Sequence, residues 1–168
     1  MPNWCHNFLV ISGPREQLER FKSQAAGDEQ PLLFANIVPE PEGIHEREQT
    51  DGKMPDWYMW RCDRWGTKWD ANFELPSVAM GGPDAEVSDS SGLIDTVETL
   101  EFGFLTAWSP PEPFVATASS LFPELRFKLR YAEPGWEAAG ERIFEAGEIA
   151  ASSDLQVDEV LASEDQWC

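Results

Sequence analysis

Between Thr96 and Tyr131 the chain alternates, breaks, and alternates again. From Thr96 to Trp108, Val97, Leu100, Phe102, Phe104 and Ala107 sit among polar or small neighbours. From Leu125 to Tyr131, the apolar Leu125, Phe127, Leu129 and Tyr131 interleave with Arg126, Lys128 and Arg130. A period of two predicts strands with one buried face. Between them lies Ser109-Pro110-Pro111-Glu112, where Ser109 can cap a helix and the prolines pre-set its first turn. That helix is expected to bury Phe114, Val115, Ala118 and Leu121 and to stop before Pro123. A strand-helix-strand order restricts the fold to a sheet covered by helices.

The N-terminal part predicts a similar unit. Trp4 to Ser12 is short, apolar and rich in β-formers, and reads as a strand ending at Gly13-Pro14. Pro14 opens a helix carrying Leu18, Phe21 and Ala25 at helical spacing, stopped by Gly27. Leu32 to Val38 reads as a second strand, closed by Pro39 and Pro41. Glu40 to Pro55 is polar and loop-like, and the block holding Trp57, Tyr58 and Trp60 predicts a short helix. Lys68 to Leu75 has the composition of a strand, and Met80 to Gly92 that of a mobile or hairpin loop. After the Pro134-Gly135 turn, Trp136 to Glu148 suggests a strand or hairpin around Gly140 and Gly147. The expected fold is α+β: a ferredoxin-like split β-α-β with a mainly antiparallel sheet, an inserted Trp-rich segment and a C-terminal hairpin. Residues 1–150 form the domain, with the insertion at about 40–95, and 151–168 form an acidic helix or tail.

Charge restricts the partners. The chain of 168 residues holds 31 Asp and Glu against 12 Lys and Arg, a net charge of −19. That excess repels phosphate backbones and anionic membranes, so direct nucleic-acid and membrane binding are disfavoured. It attracts a basic protein, of the host or of a phage, at low salt. It also serves solubility alone. Asp84, Glu86, Asp89, Asp95, Glu98, Asp154, Asp158 and Glu159 are the acids expected to form the interaction surface. The start of the chain lacks a basic region followed by an apolar run, and no apolar run approaches membrane-spanning length, which places the protein in the cytoplasm.

Trp65-Gly66-Thr67-Lys68-Trp69-Asp70 is the most unusual stretch. Two readings stand side by side. In one, Gly66 bends the chain, the indoles fill core, and Lys68 pairs with Asp70 or another carboxylate. In the other, the indoles form a stacking or cation–π platform. A ligand or partner site would then draw on Asn3, Trp4, Trp65, Lys68, Asp70 and Trp108. Adjacent strand residues point to opposite faces, so Cys5 and His6 cannot act as a nucleophile–base pair. Cys5, His6, His45 and Cys62 lack zinc-ligand spacing, and no phosphate-cradling glycine motif or nucleophile elbow occurs. No catalytic set, cofactor or metal is indicated. The basic row Arg126, Lys128, Arg130 reads as a stripe paired with neighbouring acids rather than an RNA-binding face.

Several islands together resemble the YubB-type ferredoxin-like proteins of phages and plasmids. They are Pro2-Asn3-Trp4-Cys5 with Asn7, Leu9 to Gly13, Phe34 with Ile37 to Pro41, and the Trp65-to-Asp70 motif. Thr106 to Pro111, Phe122-Pro123, Glu133-Pro134-Gly135 and Ala139-Gly140 complete them. The resemblance implies a ferredoxin-like fold and a mobile-element origin, and no established activity or catalytic residue. The functional expectation is an acidic protein-binding accessory factor. Its sharpest form inhibits a nucleic-acid-binding host defence complex, such as CRISPR, by acting as a DNA mimic whose carboxylates stand where phosphates would sit. The alternative is an enzyme or small-ligand binder with a pocket lined by the Trp65-to-Asp70 motif.

Overall fold

The computed structural model describes residues 3–46, 53–73, 88–89 and 97–162, with 88–89 and 97–98 as backbone only. Eleven residues, Trp4–Pro14, form the central strand β1. Its alternation is sharp: Cys5, Asn7, Leu9 and Ile11 are buried, while Trp4, His6, Phe8 and Val10 on the opposite face are partly exposed. Arg15–Ala25 follows as helix α1, burying Leu18, Phe21 and Ala25 as the helical spacing requires. Next come two short helices, α2 (Phe34–Ile37) and α3 (Asp56–Arg64).

Strand β2 (Ser88–Asp89) is a two-residue edge on the long β3 (Val97–Ala107). Helix α4 (Glu112–Leu121) returns the chain to β4 (Arg126–Glu133). A hairpin of β5 (Ala138–Glu145) and β6 (Glu148–Asp154) follows, and then helix α5 (Val157–Ala162). The sheet order is β2-β3-β1-β4-β5-β6 with every neighbouring pair antiparallel. β1 runs between β3 and β4, from Trp4↔Ala107 to Pro14↔Val97 on one side and His6↔Ala132 to Ser12↔Arg126 on the other. β3 and β4 are therefore parallel to each other across β1 and joined by α4. That is the split β-α-β of a ferredoxin-like α+β domain.

The core lies between the sheet and the helices. Phe21 meets Phe102, Phe122 and Phe127 edge-on at 6.3, 5.2 and 5.6 Å. Phe34 stacks on Phe114 at 4.1 Å and meets Trp65 and Phe104 edge-on. Such offset and T-shaped pairs add to plain burial. On the other face of the sheet, the basic row pairs across strands: Arg126 with Glu145 at 3.0 Å and Arg130 with Glu141 at 3.5 Å.

Several local expectations are overturned. Leu32 to Val38 is not a strand: its second half is α2, because the Asp70 carboxylate accepts the backbone N–H groups of Phe34 and Ala35 and stabilises a helical turn there. A short apolar run carries no period of its own, and a tertiary partner decides its state. The expected strand from Lys68 to Leu75 shrinks, in its described part, to one bridge between Asn72 and Leu105. Ser109 does not cap α4: its hydroxyl donates to the Gly66 carbonyl, and Pro111 occupies the cap position. Leu121 is 47% exposed, and Phe122 takes its place in the core. Residues 151–154 belong to β6, so the sheet crosses the expected boundary at 150 before α5. Apart from Ser88 and Asp89, the expected loop from Met80 to Gly92 lies outside the described residues.

Candidate functional site

Gly66 adopts φ +82°, a left-handed turn that sends the chain back along α4. A Cβ there would meet Pro113 Cδ at 2.6 Å and the Pro110 carbonyl at 3.0 Å, so the motif docks directly on the start of α4. This turn sorts the motif into two sets. Trp65 is 1% exposed, and its indole N–H donates to the Val38 carbonyl at 3.0 Å. Thr67 is buried and donates to the Ala107 carbonyl at 3.0 Å. Asp70 accepts from the N–H groups of Phe34, Ala35 and Ala71 at 2.6, 3.1 and 2.8 Å. Burial still pushes its carboxyl above the usual range, against the pull of those donors.

The second set faces outward. Trp69 is 39% exposed, lies 5.9 Å from the Trp4 ring, and carries the Lys68 ammonium 4.2 Å above its face. Lys68 thus pairs with an indole rather than with Asp70. Trp4 stands at the end of β1 opposite Ala107, and the next residue, Trp108, donates its backbone N–H to the Asn3 carbonyl at 2.9 Å. Trp108 is 43% exposed and sits at φ +73°, a left-handed conformation that costs a non-glycine residue of the order of 1–3 kcal/mol.

The Pro134-Gly135 turn closes on the same end. A Cβ on Gly135 would lie 2.3 Å from the Asn3 side-chain nitrogen. Buried Glu133 accepts from the Gly135 and Trp136 N–H groups at 3.1 and 2.6 Å, leaving Trp136 71% exposed. Trp4, Trp69, Trp108 and Trp136 therefore gather at one end of the sheet. Trp136 was not singled out in the sequence, where an indole in a turn looks like any other, and Trp69 was read as part of the motif but left out of the expected site.

Beneath this end Asn7 and Thr106 form a buried polar chain. Asn7 is buried and donates to the Cys5 carbonyl and to Thr106 Oγ1, at 3.0 and 2.8 Å, and Thr106 donates in turn to the Ser109 carbonyl at 2.7 Å. This chain holds the β3–α4 corner where Trp108 projects. Arg61 makes a bidentate pair with Glu40, at 2.7 and 2.8 Å, with its guanidinium over Trp57 and Trp65. That pair holds Glu40 below the usual carboxylate range. Cys5 and His6 fall on opposite faces, and burial pushes the Cys5 thiol up and His6 down. Among the described residues, no three His, Cys, Asp or Glu side chains come together as metal ligands.

Of the expected acidic surface, Asp154, Asp158 and Glu159 are exposed, Asp154 lying 3.4 Å from Arg142. Asp89 and Glu98 are backbone partners between β2 and β3. Asp84, Glu86 and Asp95 lie outside the described residues. No helix in the described residues is long and apolar enough to cross a membrane.

A domain with this sheet and this helix layer is a ferredoxin-like α+β domain. Residues 84–166 match the family model described as the ferredoxin-like domain in Api92-like protein. Among solved structures, the chain is similar to the crystal structure of a protein api92 from Yersinia pseudotuberculosis. The identity is 10%, the TM-score is 0.46, and 92% of this chain and 98% of that one are covered. No curated protein matches the chain.

Proposed function

We propose that the protein is a cytoplasmic protein-binding accessory factor whose docking surface is the tryptophan end of the sheet and whose partner is basic. The observation that carries this reading is the exposure of Trp69, Trp108 and Trp136 at one end of a chain with net charge −19. Tryptophan is rich among the residues that dominate protein interfaces, because one side chain offers a large apolar area and a polar edge. The strained backbone of Trp108 supports the same reading, since an exposed indole gives the fold little in return for that strain. The acidic field steers a basic partner toward the surface, and the indoles supply contact area once it arrives.

The sharpest form of the proposal is a phage or plasmid factor that occupies a nucleic-acid-binding host complex and offers it carboxylates in place of phosphates. Capture from a bacterial lysate on immobilised protein tests the reading. A basic partner is expected, released as salt rises and lost with Trp108→Gly. Capture that ignores both salt and Trp108→Gly overturns it. A pocket lined by Trp65 and Asp70 has less support, because both side chains are turned inward and bonded to backbone groups.

A further inference from the structure

Among the described residues β6 is one edge of the sheet, and the two-residue β2 is the other. β6 pairs with β5 on one side and is the last strand in the order, and all seven of its residues are exposed. Edge strands are commonly protected by lysine, proline, an inward-pointing charge or a covering segment. β6, with the sequence Glu-Ile-Ala-Ala-Ser-Ser-Asp, carries no lysine and no proline, and its residues are exposed, uncovered by any segment among the described residues. The bulge between Ile143 and Phe144 places one extra residue, Ala150, in β6, which divides the edge into Glu148–Ile149 and Ala151–Asp154.

A groove of 710 Å³ opens beside this strand, between the start of α4 and the β5–β6 turn. Pro113, Ala116, Phe144 and Ile149 give it apolar walls, and Glu112 and Glu148 stand at it. Ile149 is 53% exposed at the groove. Arg142 lies 3.7 Å from Glu112 and 3.4 Å from Asp154, so it is shared between two carboxylates.

We propose that β6 and its groove take an extended segment of the basic partner, which adds to the sheet as one more antiparallel or parallel strand. The added backbone satisfies the outer N–H and C=O groups of β6, its apolar side chains enter the groove at Ile149, and its basic side chains meet Glu148 and Asp154. Charge selects this occupant over a second copy of the chain. Two β6 strands paired about a two-fold axis would set Glu148 against Asp154 of the other copy, between molecules of net charge −19 each. The proposal rests on the partner's being basic, as inferred above, but uses a different face from the tryptophan end.

The probe is a synthetic peptide the length of β6, alternating lysine with valine or threonine, titrated into the isotope-labelled full chain. Shifts in amide resonances are expected to centre on Glu148–Asp154. Both Ile149→Ser and Glu148→Lys are expected to weaken binding by about tenfold, and Trp108→Gly to leave it unchanged. Circular dichroism on each variant confirms the fold, which neither exposed position supports by packing. Shifts centred elsewhere, or an equal response to the peptide with glutamate in place of lysine, overturn the proposal. So does a dimer of the free chain that Ile149→Ser abolishes. The titration reports on the edge alone. A lysate partner that survives Ile149→Ser and Glu148→Lys but not Trp108→Gly refutes the edge and leaves the tryptophan surface standing.

Discussion

Trp65 and Trp108 are the same side chain in opposite circumstances. Trp65 is buried beneath α2 and α3, its ring edge-on to Phe34 and Trp60, and its N–H satisfied by Val38. Trp108 stands exposed on a strained backbone at the β3–α4 corner, anchored through its backbone N–H to Asn3. The contrast also divides the six-residue motif, where Trp65, Thr67 and Asp70 hold the fold while Lys68 and Trp69 face solvent. An unusual motif is thus not one thing. Its rarity marks a tight turn at Gly66, and the function proposed here belongs to its exposed residues and to indoles elsewhere in the chain.

The comparison breaks most visibly at Trp65. Trp65→Ala leaves a large void and orphans the Val38 carbonyl, so a loss of about 3–5 kcal/mol is expected in denaturant unfolding. A loss near that of a surface substitution would mean that the interior tryptophan is dispensable. Asp70→Ala removes the acceptor for three backbone donors and should cost about 1–3 kcal/mol, with α2 exchanging its amide hydrogens faster. Unchanged exchange at Phe34 and Ala35 would count against the capping role.

Glu40→Gln should cost about 1–3 kcal/mol at neutral pH. Its folded carboxyl lies below the ordinary value of 4.5, so its contribution is complete above that value and disappears as pH falls through the lowered one. The variant should therefore flatten the acid side of the stability profile. Asp70, raised by burial, acts with the opposite sign: it loses stability as pH rises from its ordinary value of 3.8 toward the raised one. An acid limb as steep as the parent's would show that the Glu40–Arg61 pair does not contribute. The smallest effect is expected at Trp108→Gly, which relieves the left-handed strain and should change stability by no more than about 1 kcal/mol, upward if at all. A marked loss of stability would place Trp108 with Trp65.

The strands and helices with a clear period were legible in the sequence. β3 and β4 follow their alternation and α1 its 3.6-residue spacing, because each packs one face against the same core. β1 was read from its β-forming composition and its Gly13-Pro14 stop. α2 was not legible, since its state depends on a carboxylate 36 residues away. Arg61 was also unreadable as the partner of Glu40, in a chain with so many acids. The site was half legible. Asn3, Trp4, Lys68 and Trp108 do meet at one end of the sheet, but Trp65 and Asp70 face inward. Both readings of the motif treated its two indoles alike, whereas the turn at Gly66 separates them.

Asp70 and Glu40 each reach across the chain, to Phe34 and to Arg61, and so hold both ends of the stretch between α2 and α3. With its ends held, the entropy of closing that stretch depends only weakly on its length. Doubling it would add only about 0.6 kcal/mol of closure entropy. Near Gly43 the cost is packing rather than closure, since Ile44 is 3% exposed and His45 stacks on Trp57 at 5.9 Å, and foreign residues inserted there would displace both.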